Sequence, residues 1–166
     1  MTAGGPPRAG ESGGVSGAIV SINLSRKKGQ AKRPVREAQV IAGEGVKEDA
    51  HRGFGHRQVS LLMMESIEDQ KERLGPEAGI EIGPGAYAEN ITTRGIDLRT
   101  LRVGDELVVR GKRGIVLLRV SQIGKDCHTK CAIFKLAGDC IMPGLGIFCE
   151  VLQGGTVGVG DRIEKH

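Results

Sequence analysis

Residues 105–123 read DELVVRGKRGIVLLRVSQI. Two runs rich in Val, Leu and Ile, Asp105–Arg110 and Ile115–Ile123, flank a charged turn bracketed by Gly111 and Gly114. That pattern predicts two strands joined as a hairpin. The same grammar extends in both directions. Ala18–Leu24 (AIVSINL), Glu37–Ala42 (EAQVIA), Arg57–Met63 (RQVSLLM), Tyr87–Thr93 (YAENITT), Ile147–Leu152 (IFCEVL) and Thr156–Ile163 read as further strands. Gly43–Gly45 and Gly154–Gly155 mark turns between them. Gly makes up 27 of the 166 residues, more than twice the ordinary share of about 7%, and shows no collagen period. The clearest helix is Ser66–Leu74, with Ser66 placed to cap it and Asp69 three residues on. Short strands, Gly-rich turns and one or two short helices predict a mainly β domain closed into a barrel.

Composition narrows the functional classes. Aromatic residues are three Phe and one Tyr, with no Trp. That is too few to build a stacking platform for single-stranded nucleic acid. The net charge is +4, but residues 26–36 (RKKGQAKRPVR) hold six Lys or Arg and no acid, so the remainder carries −2. The basicity is therefore local. It suits a phosphate-bearing small molecule or an anionic partner rather than a nucleic-acid face, and it equally suits a solvated loop. No stretch approaches the ~20 apolar residues of a membrane span. The opening residues MTAGGPPRAGESGGVSG lack the apolar core of a secretory signal. The expectation is a cytoplasmic protein whose four Cys are thiols. Residues 1–16, with five Gly and two Pro, read as a flexible tail ahead of a single domain over 17–166.

Three stretches could carry chemistry. The first is GKDCHTKC (124–131), followed by GDCIMP (138–143). Cys127 comes just after a strand, where a loop can expose it. Lys125, Lys130 and a protonated His128 favour its thiolate, while Asp126 opposes. A thiolate can bind a soft metal, attack sulfur or carry a persulfide. Zinc held by Cys127, His128, Cys131 and Cys140 is conceivable, although C-x3-C-x8-C is not one of the usual paired patterns. Cys149, inside a strand, reads as a buried structural thiol. The second stretch is EDAHRGFGHRQ (48–58), whose His51, Arg52, His56, Arg57 and Gln58 suit an anion or the edge of a heterocycle and equally suit solvated loop charges. The third is GPGAYAENITT (83–93), where Asn90, Thr92 and Thr93 could bind polar ligand atoms or satisfy nearby turns.

Taken together and in order, these blocks resemble the MOSC domain family, the domain found at the C-terminus of molybdenum cofactor sulfurases, in its stand-alone bacterial type. The resemblance spans Gly17 to Ile163. Its carriers are S-x-x-K-G and K-x-P-V (25–35), D-A-H-x-G-x-x-H-R-Q-V-S-L-L (49–62), E-N-I-T-T-x-G-I-D-L (89–98) and V-G-D-x-L (103–107). The later ones are I-G-K-x-C-H-x-x-C (123–131), G-D-C-I-M-P (138–143) and the Gly146–Ile163 block. The resemblance implies a β-barrel-like fold that binds the molybdenum cofactor, a phosphate-bearing molybdopterin with a dithiolene-bound metal.

On that resemblance Cys127 is the characteristic thiol, as a molybdenum ligand or a persulfide sulfur carrier, with Cys131 and Cys140 as further metal candidates. Asp126 stands where family members commonly have Pro. Lys28, Lys32, Arg33 and Arg57 would attract the phosphate. His51, His56, Asn90, Thr92 and His128 would complete the cofactor site, with the barrel holding these loops at one rim. The implied partners are a sulfur donor such as a cysteine desulfurase and a molybdoenzyme or cofactor-biosynthesis protein. Nothing here marks a Schiff-base Lys for pyridoxal phosphate. The competing reading is a small molybdenum-dependent oxidoreductase component served by separate electron-transfer partners.

Overall fold

The computed structural model describes residues 14–28, 30–53, 55–77, 82–125 and 140–166. Its framework is a ring of seven strands. They are β1 (Ser16–Leu24), β5 (Val59–Met63), β6 (Ile91–Arg94), β7 (Glu106–Gly111), β8 (Gly114–Ile123), β9 (Ile147–Gln153) and β11 (Arg162–Lys165). The order around the ring is β11-β7-β8-β9-β5-β6-β1, and β1 pairs back onto β11 to close it. Closure leaves the ring without a free edge. All neighbours are antiparallel except β5 and β6. The short β2 (Arg33–Val35) hangs on the end of β1. A second sheet of β10 (Gly155–Gly158), β3 (Glu37–Ile41) and β4 (Gly45–Val46) is hydrogen-bonded separately and packs Ala38, Val40, Val46 and Val157 onto the same core.

The interior is filled by Ile19, Ile22, Leu61, Ile91, Leu107, Leu118, Ile147 and Ile163, all almost fully buried. Aliphatic side chains fill the core in place of the missing rings. Strand β5 is buried along its whole length. Leu61 faces the barrel, while Leu62 joins a second apolar cluster with Ile67 of α1 (Met64–Leu74), Tyr87, Met142 and Phe148. Cys149 lies in the barrel core, where burial pushes its thiol well above its ordinary pKa. It is the structural thiol expected from its place in the strand.

Three sequence expectations need correction. The helix does not begin at Ser66. Strand β5 runs directly into α1 at Met64, no side chain caps it, and Ser66 is buried in the first turn. The strand expected over Tyr87–Thr93 covers only Ile91–Arg94, because residues 83–90 form a pinned turn. Thr156–Ile163 is two strands, split where Gly160 adopts a positive φ of 94°. Residues ahead of Gly17 also engage the domain. Gly14 N donates to Gly95 O, and Asp97 N donates to Gly14 O. A second, four-residue helix, α2 (Met142–Leu145), precedes β9. Among the described residues, no helix is long and apolar enough to cross a membrane.

Candidate functional site

Asp49 and Lys32 have fully buried side chains. Lys32 Nζ donates to Asp49 Oδ1 at 2.8 Å and to Ser25 Oγ at 3.3 Å, and stands 3.0 Å from His51 Nδ1. Ser25 N donates to Asp49 Oδ1 at 3.0 Å, and His51 N donates to Oδ2 at 3.1 Å. One carboxylate thus ties the loop after β1, the segment before β2 and the loop after β4. An ammonium has three donors, so all three of Lys32 are engaged. When Lys32 donates to Nδ1, the imidazole proton sits on Nε2. The ring is about a quarter exposed, at 23%. Burial opposes charge on Asp49, but the bonds from His51, Lys32 and Ser25 outweigh it and hold the carboxyl far below the usual range. For Lys32 burial wins, and its pKa is lowered despite Asp49.

A second buried carboxylate sets the neighbouring turn. Glu89 Oε1 accepts from Gly85 N at 2.5 Å and from Thr92 Oγ1 at 3.1 Å, and Oε2 accepts from Tyr87 N at 3.2 Å. Gly85 O in turn accepts from Lys32 N at 2.8 Å. Asn23 Nδ2 donates to Thr92 Oγ1 and to the Glu89 carbonyl. Asn90 accepts from Ser60 N and donates to Asn23 O. Burial pushes the Glu89 carboxyl up to about 7, against four hydrogen bonds that favour its charge. The folded state therefore holds this proton more tightly than the unfolded chain. The associated stability is complete below about pH 4.5 and is lost as pH rises through about 7. The urea midpoint should fall between pH 5 and pH 8. Glu89→Gln should flatten that decline while lowering the midpoint throughout, because an amide cannot accept from both Gly85 N and Tyr87 N. An unchanged slope in the variant would assign the titration to another group.

Strand register explains why these loops meet. Ile22 pairs with Ile91, Ile91 with Leu61, Leu61 with Ile147, and Ile147 with Ile123. Five strands thus share one lateral row. The loop after Leu24, the turn before Ile91 and the exit of β8 leave from near it. Gly124 N donates to Gly146 O and Lys125 N to Pro143 O. Lys125 is near enough to Lys32 for its charge to lower the Lys32 pKa further.

The residues singled out from sequence fall into separate groups. Lys32 and His51 are brought together. Asn90 and Thr92 belong to the interior network that supports the turn. His56 Nε2 stands 2.6 Å from Gln122 Oε1, and Gln122 Nε2 donates to Gly124 O at 2.8 Å, which ties His56 to the exit of β8. Arg57 lies over the Phe148 ring at 5.9 Å. Lys28 and Arg33 are exposed. Cys140 is half-buried against the Tyr87 and Met142 cluster. Cys127, His128 and Cys131 lie outside the described residues. Among those described, no three His, Cys, Asp or Glu side chains gather as a metal site.

Sequence reasoning assigned no role to Asp49, Glu89 or Ser25, although all three lie within quoted blocks. An acid beside a His in a Gly-bearing loop, after a basic stretch, was the available signal for Asp49. Nothing local marked Asn23.

The family model for the MOSC domain matches residues 48–164. The chain belongs to the MOSC domain family. The matched span includes Asp49, His51, Glu89 and Lys125, and the pair formed by Asp49 reaches outside it to Lys32. Solved structures of this fold agree. YuaD from Bacillus subtilis superposes with a TM-score of 0.71 at 18% identity, covering 91% of this chain and 96% of that one. YiiM from Geobacillus stearothermophilus gives 0.67 at 23%, covering 90% and 75%. YiiM from Escherichia coli gives 0.64 at 18%, covering 90% and 69%. At these identities the likeness is one of fold. No curated protein matches the chain.

Proposed function

We propose that this MOSC domain binds a molybdopterin-type cofactor beside the Lys32–Asp49–His51 cluster. Cys127 then serves as the thiolate that ligates molybdenum or carries sulfur, in cofactor biosynthesis, sulfuration or delivery in the cytoplasm. The observation carrying this reading is the strand register that starts the loop after β1, which carries Lys32 of the locked Lys32–Asp49–His51 cluster, and the exit of β8 at Lys125, two residues before Cys127, from one lateral row.

The donor set fits such a cofactor. A phosphate needs cations, and Lys28 and Lys125 supply them on the two segments flanking the cluster. A pterin edge needs directional donors, and His51 offers its Nε2 proton. Lys32, with its three donors engaged, contributes charge and fixes the His51 ring instead of grasping a phosphate. Lys125 favours the Cys127 thiolate over the thiol. The cofactor, when bound, would supply a metal able to accept a thiolate ligand. A cysteine desulfurase is the class of protein that would load sulfur on Cys127, and a molybdoenzyme or cofactor-assembly protein would receive it.

The test is the molybdenum and pterin content of the protein purified from a host that makes the cofactor. Both should be near stoichiometric. Cys127→Ala should lose the molybdenum and keep pterin if the thiol is a ligand. If it is a sulfur carrier, the wild type should show a persulfide on Cys127. A preparation with no molybdenum, pterin or persulfide would overturn the reading.

A further inference from the structure

Away from Lys32 and His51, the described surface carries a depression with a volume of about 1210 Å³. It runs where β2 and β11 part company along β1. Ala18 is the last β1 residue paired with β11, and Ile22 is the first paired with β2. A second depression of about 420 Å³ shares Val35, Glu37, Arg113 and Thr156 with it and extends it toward Leu24 and Lys47. Together they form one trough. None of Ser25, Lys32, Asp49 or His51 lines either part.

The trough has an apolar floor and a cationic rim. Val20, Pro34, Val35 and Val159 supply the apolar surface, and Val159 is half exposed. Arg36 lines it together with Arg110, Lys112 and Arg113 of the β7–β8 hairpin. Arg110 pairs with Glu164, and Arg113 pairs with Glu37. Such exposed pairs are weak and can be exchanged at little cost. Arg36 and Lys112 have no side-chain partner among the described residues. Of the acids lining the main depression, Glu37 is the one paired with Arg113. The other, Asp161, accepts from Gly158 N at 2.7 Å and is tucked under Gly111, where a Cβ would overlap its carboxylate. Two uncommitted cations therefore border an apolar surface.

We infer that this trough is a docking site for an acidic, apolar-containing peptide segment of a partner protein. Three observations favour a peptide over a small anion or a nucleotide. The volume exceeds the roughly 300–1,000 Å³ of small-molecule pockets. The trough is elongated by its second part, which suits an extended chain. No aromatic ring lines it, so it lacks the ring platform on which bases stack best. Alternate side chains of an extended segment would place carboxylates at Arg36 and Lys112 and apolar groups over Val20 and Val35.

The experiment uses a fluorescein-labelled peptide of alternating Glu and Leu, followed by anisotropy against the full chain, with a Lys–Leu peptide as control. The acidic peptide should bind, and more weakly as salt rises. The double charge reversal Arg36→Glu with Lys112→Glu should weaken it by roughly tenfold or more. Both side chains are exposed, so the variant should keep the wild-type urea midpoint. Arg99→Ala, outside the trough, should bind as wild type. No binding, equal binding of the Lys–Leu peptide, or undiminished binding by the double variant would each overturn the proposal. Displacement by tripolyphosphate bound at the same residues would do so as well, and would reassign the trough to phosphate polyanions.

Discussion

Asp49→Ala should cost about 3–5 kcal/mol of unfolding free energy, the range for breaking a buried ion pair from one side. The carboxylate is the counter-ion of an ammonium with no solvent access, and it also takes the backbone N–H groups of Ser25 and His51. Removing it strands three donors at once. Lys32 can escape only by losing its proton, which burial already favours. The deficit should therefore be largest near neutral pH. It should shrink as pH climbs toward the ordinary lysine value of 10.5, where the unfolded chain gives up the same proton. Asp49→Asn, which keeps an acceptor without the charge, should fall between. Urea unfolding at several pH values reads all three. A loss under about 1 kcal/mol, typical of an exposed pair, would mean that Lys32 is not sealed from water.

The second large effect belongs to Gly85→Ala. Gly85 has a φ of 85°, and a Cβ there would overlap the carbonyl oxygen of Lys32. Gly104, with a φ of 98°, has open space where its Cβ would be. Gly104→Ala should show backbone strain alone, about 1–2 kcal/mol. Gly85→Ala carries the same strain and must also push the turn off Lys32, so its loss should reach about 3 kcal/mol or more. The His51 imidazole nitrogen resonances should shift in the Gly85 variant and not in the Gly104 variant. Equal losses in the two would show that the close approach to Lys32 carries no energy.

What could be read from sequence follows from how local each determinant is. The β7–β8 hairpin was legible because the turn glycines and both strands lie within nineteen consecutive residues. The start of α1 was not, since a strand passing straight into a helix carries no cap to mark it. Strand β2 was hidden as Arg-Pro-Val at the end of a basic run, where Pro34 and two arginines suggest a loop. The same run hid the burial of Lys32. A lysine among five other cations reads as solvated, and only the return of Asp49, seventeen positions on, makes an interior ammonium tolerable. Asn90 and Thr92 stand out for their polarity, and that polarity faces inward because Asn23 and Ser60, from two other points of the chain, enclose it beside Glu89. The Cys127 block was the most readable chemical signal, and its geometry lies outside the described residues.

Pairing of the first strand with the last has a consequence for how the molecule comes into being. Ser16 lies opposite Glu164, so while β2 covers Ile22–Leu24 at once, the Ser16–Ala18 part of that edge finds no mate until β11 has left the ribosome. At about 5–20 residues per second, that wait is on the order of ten seconds. Throughout it, β1 shows an open hydrogen-bonding edge to the cellular milieu. A nascent chain stalled before β11 would keep that edge open to pairing with another chain.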